Sequence, residues 1–340
     1  MLSNKRRLIA AVFLLVVLLL LWTLKLPYYI YKPGEAEELS RMVEVDFGSQ
    51  SKGEFHLVTV SGAQASPIDF VFAKLSHYHE ITPLDEAIPE DFTEDEYRYY
   101  QLKMMESSQD ASKVVAYEAA GKHVEIDWNG IYVVRTMNDM PAKDVLKVGD
   151  RIIQVDDLEV KEPEDLTNYM ESKRENDIVN IKFEREGEIF EASLPLKKFS
   201  AESEQVGIGI QLVADRTVKV EPEVEIRSGN IGGPSAGLMF ALEMYDQLVE
   251  EDLTKGYKIA GTGEIDFDGN VHRVGGVDKK IVAASRKGIE IFFVPFENGK
   301  ADSNYELAKR TAEALDTEMK IVPIDSFEEA LAYLNQLEPK

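Results

Sequence analysis

The sequence contains no cysteine. That excludes a disulfide scaffold, thiol catalysis and thiolate metal sites. Positive charge is scarce too: 38 Lys and Arg stand against 62 Asp and Glu, a net charge of −24. A surface of that balance cannot neutralise a phosphate backbone, so nucleic acid is excluded as a partner. Histidine is thin, five residues in all, and only His272 follows position 231. No Gly-x-x-x-x-Gly-Lys-Ser/Thr run occurs, so no P-loop for ATP is expected. What is present is ordinary hydrophobic content, 44% over 340 residues. That is enough for two or three packed domains.

The one long apolar run lies at the start. Lys5, Arg6 and Arg7 precede a nearly unbroken hydrophobic stretch from Leu8 to Leu24. Some 17 to 20 helical residues just cross a hydrocarbon core of about 30 Å. Trp22, Tyr28, Tyr29 and Tyr31 suit the membrane interface, and the cationic residues ahead of the run keep the N-terminus cytoplasmic. A cleaved signal peptide is the rival, but no small-x-small site follows the run. Residues 1–30 are therefore expected to be an anchor, with the bulk of the chain outside the membrane.

Beyond it, 31–121 reads as a connecting β/α region. Residues 42–47 and 54–61 alternate like two strands of a hairpin turning at 48–53. Asp85 to Glu96 reads as an acidic loop, and 97–120 as a helix broken near Ser107-Ser108. Short strands then alternate with helical pieces at Met140–Val145 and Pro163–Ser172. In the last 140 residues strands and helices alternate, with a helix at Asp278–Lys287 ended by Gly288 and another capped by Ser326 with Glu329 completing a capping box. The class expected is α+β or mixed α/β.

Two segments carry chemistry. In Ile231-Gly-Gly-Pro-Ser235-Ala-Gly237, small residues turn the chain sharply into an amphipathic helix. Ser235 then sits where unpaired N–H groups and the positive helix end can stabilise an oxyanion, with backbone donors near Gly233 and Ser235. It could equally be no more than the helix cap. In Gly275-Gly-Val-Asp-Lys-Lys280, a lysine opens a second helix. An amine is a poor base at its reference pKa of about 10.4 unless it is desolvated. Lys279 and Lys280 point about 100° apart, so only one can face the serine. Lys280 is the expected base and Lys279 is expected to be solvated. Thr262, between the two segments, could hydrogen-bond either partner, or be only a β-branched strand residue.

These residues support a resemblance. Gly233-Pro-Ser235-Ala-Gly237, Thr262-Gly-Glu264, Gly269-x-Val271-x-x-Val-Gly275-Gly276 and Lys280-x-x-Ala283-Ala284 resemble the proteolytic domain of Lon-type Ser-Lys peptidases over roughly 206–338. Gly130-Ile-Tyr-Val133 and Leu146-Lys-Val-Gly149-Asp150-Arg-Ile-Ile-Gln-Val155 resemble a PDZ domain over about 122–198. With the anchor, the chain resembles the membrane-anchored PDZ-Lon peptidases of Gram-positive bacteria. The division expected is 1–30, 31–121, a PDZ-like 122–200 and a proteolytic 201–340. The resemblance implies an α+β fold and a cofactor-free serine endopeptidase, with Ser235 as nucleophile, Lys280 as base, and Thr262 and Gly233 in support. It implies a peptide or protein substrate, such as secreted peptides or small membrane proteins, a peptide strand added beside Gly130, Ile131, Tyr132 and Val133, and a ring-like homo-oligomer. Two departures stand out. The Gly-Leu-Gly-Phe carboxylate loop is reduced to Asn129-Gly130-Ile131-Tyr132, and Gly232 replaces the acidic residue that ATP-dependent Lon proteins place three before the serine.

Other readings of the same residues differ in class. Gly-x-Ser-x-Gly fits a hydrolase elbow, with His272 and Asp266 or Asp268 as partners. Ser49-Gln-Ser-Lys52 matches Ser-x-x-Lys within a loop. His77 and His79 could share a face toward a metal. A non-catalytic PDZ scaffold or peptide-binding membrane protein is the alternative to an enzyme. It would not need a serine, a threonine and a lysine in all three motif positions.

Overall fold

The computed structural model describes residues 2–89, 92–200 and 203–340. Glu90 and Asp91 of the acidic stretch, and Ala201 and Glu202 at the expected domain start, lie outside the described residues. The chain opens with a helix, Leu2–Thr23, whose Lys5–Thr23 portion is long and apolar enough to cross a membrane and is exposed along its length.

The C-terminal half is built on a six-stranded mixed sheet. Its order is Lys320–Ile324, Ile291–Pro295, Lys258–Gly261, Glu54–Gln64, Tyr28–Glu38, Glu80–Pro83. The first four run parallel and the last two antiparallel to their neighbours. Helices cover both faces. One face packs the long helix Glu94–Ala119, the serine helix Gly237–Leu248 and the last helix Phe327–Asn335 over Phe55, Leu57, Ile259 and Phe293. The other packs the lysine helix Val277–Lys287 and Asn304–Ala314 over Ala36, Val58, Ala260 and Phe292. Alternate residues of one strand thus feed two cores, as a sheet buried on both sides requires.

That burial corrects the expected hairpin at 48–53. Phe55 and Leu57 face one core while His56 and Val58 are buried on the other side, so Glu54–Gln64 belongs at the centre of the sheet. Val43–Val45 pairs instead with Val224–Ile226, with Val43 and Val45 inward and Glu44 outward. Strands from the expected connecting region, 31–121, are therefore structural members of the C-terminal sheet.

The helix expected to break at Ser107-Ser108 runs unbroken over Glu94–Ala119, from a capping box made by Thr93 and Glu96. Serines disfavour helix interiors when their hydroxyls compete for backbone groups. Here the Ser108 hydroxyl donates to the Pro234 carbonyl at 2.8 Å, and that of Ser112 to the Gly237 carbonyl at 2.8 Å. Met140–Val145 is not a helix but a run of turns, with the Ala142 N–H drawn off to the Ile208 carbonyl. Ser326 caps its helix as expected, but Glu329 accepts from the Asp325 N–H and not from that of Ser326.

A second, antiparallel sheet runs in the order Ile210–Val220, Val124–Thr136, Arg151–Val155, Ile178–Arg185, Glu188–Pro195. With the helix Pro163–Glu171 it encloses its own core of Ile131, Val133, Ile152, Val155, Ile181 and Leu166, among others. Ile210–Val220 is a single strand.

Candidate active site

Ser235 sits in the turn that enters the serine helix, and the lysine helix lies across the sheet from it. They meet beyond the C-terminal end of Lys258–Gly261, where open parallel sheets commonly place their sites. Two glycines permit the approach. A Cβ on Gly237 would lie 2.5 Å from the Ser108 hydroxyl, and one on Gly276, which has φ +68°, would lie 2.8 Å from Val60. The long helix therefore presses on the serine turn, and the strand Glu54–Gln64 on the lysine turn.

The Lys280 amine donates to the Ser235 hydroxyl at 2.6 Å and to the Thr262 hydroxyl at 2.7 Å. Thr262, fully buried, donates to the Ser235 carbonyl at 3.0 Å. Its one proton is thereby committed, which leaves its lone pairs for the amine. Burial alone pulls the Lys280 amine down to a pKa of about 7. No carboxylate counters this, because Asp278 is turned to Lys279.

Lys279 corrects its expectation. It is not solvated but buried, held by Glu80 at 2.6 Å and Asp278 at 3.0 Å. Burial pulls its amine down, and the hydrogen bonds and charges of Glu80 and Asp278 more than reverse that.

Ser235 is not the helix cap. Ala236 holds that position and no side chain caps the helix. Gly233 also departs from its expected part as an oxyanion donor: its N–H donates to the Gln101 carbonyl of the long helix at 2.8 Å. The same helix accounts for Gly232, where a Cβ would come within 2.9 Å of Gln101 Cβ. A cleft of about 420 Å³ opens over the pair, walled by Glu37, Val60, Gln101 and Asn230.

The rival constellations do not converge on this serine. His272 engages Asp266 at 2.8 Å. The Ser49 hydroxyl binds the Asp246 and Val249 carbonyls at the C-terminal end of the serine helix. His77 is exposed and meets Tyr78 edge-on.

The expected peptide edge at Gly130–Val133 is also corrected. Residues 130–133 pair with Leu212–Asp215 on one side, and Ile131 and Tyr132 pair with Ile152 and Arg151 on the other. No edge is left for a peptide strand. Ile210–Val220 is one of the two terminal strands of that sheet, the other being Glu188–Pro195. Beside Ile210–Val220 a groove of about 410 Å³ runs between Gly207–Ile210, Leu212 and the helix residues Leu166, Thr167 and Met170. The signal was legible: Gly207-Ile-Gly-Ile210 is closer to Gly-Leu-Gly-Phe than 129–132 is. It lies just past the end of the expected 122–200 domain, and its strand joins that sheet by pairing back onto Val124–Thr136.

Comparison with known proteins matches these two halves. Residues 193–336 match the family model of the Lon protease (S16) C-terminal proteolytic domain, and residues 101–196 match that of the PDZ domain. The chain carries a Lon-type proteolytic domain and a PDZ domain. The Lon protease of Escherichia coli K12 is 32% identical over 156 residues, which are 45% of this chain and 18% of that protein. The Lon protease of Aster yellows witches'-broom phytoplasma is 32% identical over 117 residues, 34% of this chain and 14% of that one. The chain thus spans less than a fifth of the length of these two curated relatives. Among solved structures, the PDZ domain of an SdrC-like protein from Listeria monocytogenes is 31% identical. It covers 26% of this chain and 93% of its own, with a TM-score of 0.25. The long helix that walls the Lon-type cleft also packs against the PDZ sheet. The long helix contacts the serine turn through Gln101, Ser108 and Ser112. It holds the PDZ sheet through Arg216, which donates to the Ser107 hydroxyl at 2.7 Å, and through Lys103, 4.5 Å from the Tyr132 ring.

Proposed function

We propose that this protein is a membrane-anchored, ATP-independent serine endopeptidase acting outside the cytoplasm, with Ser235 as nucleophile and Lys280 as general base. One observation carries the reading: a dry amine, held near a pKa of 7, lies 2.6 Å from a serine hydroxyl. With the amine neutral, the same contact lets the hydroxyl donate to the nitrogen lone pair. One amine hydrogen stays on Thr262, so the lone pair is aimed at Ser235. The Ser235 oxygen then attacks the peptide carbonyl while Lys280 takes its proton. The reading takes the Ser235 N–H and the positive end of the serine helix as the stabilisers of the developing oxyanion. Lys280 returns the proton to the leaving amine, and water hydrolyses the acyl-enzyme.

The charge order around the apolar helix supports an external site, and the absence of a P-loop from the sequence supports substrates that arrive unfolded or short. Secreted peptides and small membrane proteins fit both. The groove at Gly207–Ile210 supports a selecting role for the PDZ domain, by strand addition to the free edge of Ile210–Val220. The test is peptide-library cleavage by the full chain in detergent. Ser235→Ala should lose activity by roughly 10⁴-fold or more. Thr167→Trp, which fills the groove from an exposed position, should change which peptides are cut while leaving turnover of a short generic peptide intact. Undiminished cleavage by Ser235→Ala would sink the catalytic assignment. An unchanged cleavage pattern in Thr167→Trp would remove the selector.

A further inference from the structure

The short helix Pro67–Leu75 has two apolar faces, and only one is used. Phe70 and Ala73 pack inward with Ile30, Ala65 and Ile81. Ile68, Val71, Phe72 and Leu75 follow the i, i+3, i+4, i+7 spacing of a second stripe. Three of its residues point away from the protein, with Val71, Phe72 and Leu75 58%, 64% and 81% exposed, and Ile68 is half-buried. A single exposed leucine means little, but a continuous stripe marks a contact surface.

Its position names the contact. The Leu26 N–H donates to the Ala65 carbonyl at 2.8 Å, and the Lys25 amine reaches the Gln64 carbonyl. The apolar N-terminal helix ends at Thr23, so the two helices are stitched together within three residues of each other's ends. Tyr28 meets Phe70 as a tilted ring pair at 5.0 Å, which continues the interfacial aromatics onto the second helix. Charge agrees. In a chain of net charge −24, this helix carries Lys74, with Lys25 and Lys32 near enough to act on its Asp69.

We infer that Pro67–Leu75 lies in the membrane interface, with Ile68, Val71, Phe72 and Leu75 sunk into the leaflet from which Leu2–Thr23 emerges. The inference rests on the reading of that helix as a membrane anchor. It makes the protease head a body seated on the bilayer at two points and not a sphere on a swivelling stalk. The strand Tyr28–Glu38 then sets the height of the site. It starts beside the interfacial helix, and its Glu37 walls the Ser235 cleft. Nine residues of strand span roughly 30 Å, so peptide bonds within about that reach of the membrane are the ones presented to Ser235.

The absence of cysteine gives a clean test. Full-length chain in anionic phospholipid vesicles is labelled with an environment-sensitive fluorophore at one introduced cysteine: Phe72→Cys, Leu75→Cys, Leu15→Cys or Glu191→Cys. The probes at 72 and 75 should shift to the blue. They should be quenched by lipids spin-labelled near the headgroup more than by lipids labelled near the bilayer centre, matching a helix sunk about 5–10 Å. The Leu15 probe should show the reverse depth order and the Glu191 probe should respond only to aqueous iodide. If Leu15 is quenched at depth while 72 and 75 respond only to iodide, the anchor stands and this inference falls. If 72 and 75 are shielded from iodide and from both lipids and cross-link between copies, the stripe is a protein interface and the inference is overturned. If Leu15 itself responds only to iodide, the anchor reading fails first.

Discussion

The two faces of the lysine helix solve one problem in opposite ways. Lys279 and Lys280 are neighbours, carry the same side chain and are both hidden from solvent, with the Lys280 amine the deeper of the two. On one face Glu80 and Asp278 surround the Lys279 amine, and its pKa ends up above the usual lysine value. On the other, the hydroxyls of Ser235 and Thr262 meet the Lys280 amine, and it falls to about 7. Burial is common to both, so burial alone does not make a base. What matters is whether a carboxylate accompanies the amine into the dry interior. The sheet decides this, because Glu80 sits on its outermost strand and Thr262 just past a central one.

The largest effect should follow from removing the uncompensated amine. Lys280→Met should lower kcat/KM by roughly 10⁴-fold or more. It should also stabilise the fold. In the native state Lys280 sheds its proton near pH 7, whereas the unfolded chain holds it to about pH 10.4. The unfolded state thus binds more protons in that window, and native stability rises with pH across it. At pH 7 and below the wild-type chain carries a cost on the order of 3–5 kcal/mol for this group. The variant should therefore melt at higher temperature at pH 6–7, with the gap closing toward pH 10. Wild-type kcat/KM should rise with pH through about 7. A destabilised variant at pH 6, or activity still climbing at pH 10, would mean that the amine is not dry.

Thr262 tests the hydroxyl side of the comparison. It aims the amine without touching the reacting carbonyl, so it is a positioning residue. Thr262→Ala should cost on the order of 10²-fold in kcat, with KM little changed, because a misaimed base loses orientation and not binding. Thr262→Ser keeps the hydroxyl and should recover most of the rate. If alanine and serine behave alike, Thr262 serves the packing only.

Much of this was legible in the sequence. Gly-Pro-Ser235-Ala-Gly, Thr262 and Lys280 are local motifs, and each lies at an element end whose turn chemistry points to it. What escaped were facts of distant contact. The fate of Lys279 depended on Glu80, 199 positions away, and the engagement of the Gly233 N–H on Gln101. Ser107-Ser108 looked like a weak point in a helix because nothing local shows that Ser108 anchors Pro234 and Ser107 receives Arg216. Glu54–Gln64 reads locally as one arm of a hairpin because a strand buried on both faces shows itself only when its sheet is assembled. The proposed peptide groove lies away from Gly130–Val133 for the same reason, since only the assembled sheet shows that 210–220 pairs back onto 124–136 and covers that edge.

The smallest effect should come from the compensated lysine. Lys279→Met leaves Glu80, which is largely exposed and can rehydrate, and Asp278, which is partly so. The variant should lose about 1–2 kcal/mol of stability through the broken contacts. Its pH limb should stay near 7, because Asp278 has no path to the Lys280 amine on the opposite side of the helix. The converse change is more telling. Glu80→Gln removes the charge but keeps a hydrogen-bond acceptor for Lys279, so the helix should hold its place. If the two faces are electrostatically separate, kcat and the pH limb stay within about twofold of wild type. A limb that moves by more than that would show that the outer-strand carboxylate reaches the catalytic amine through the helix. The contrast between the faces would then be one of degree.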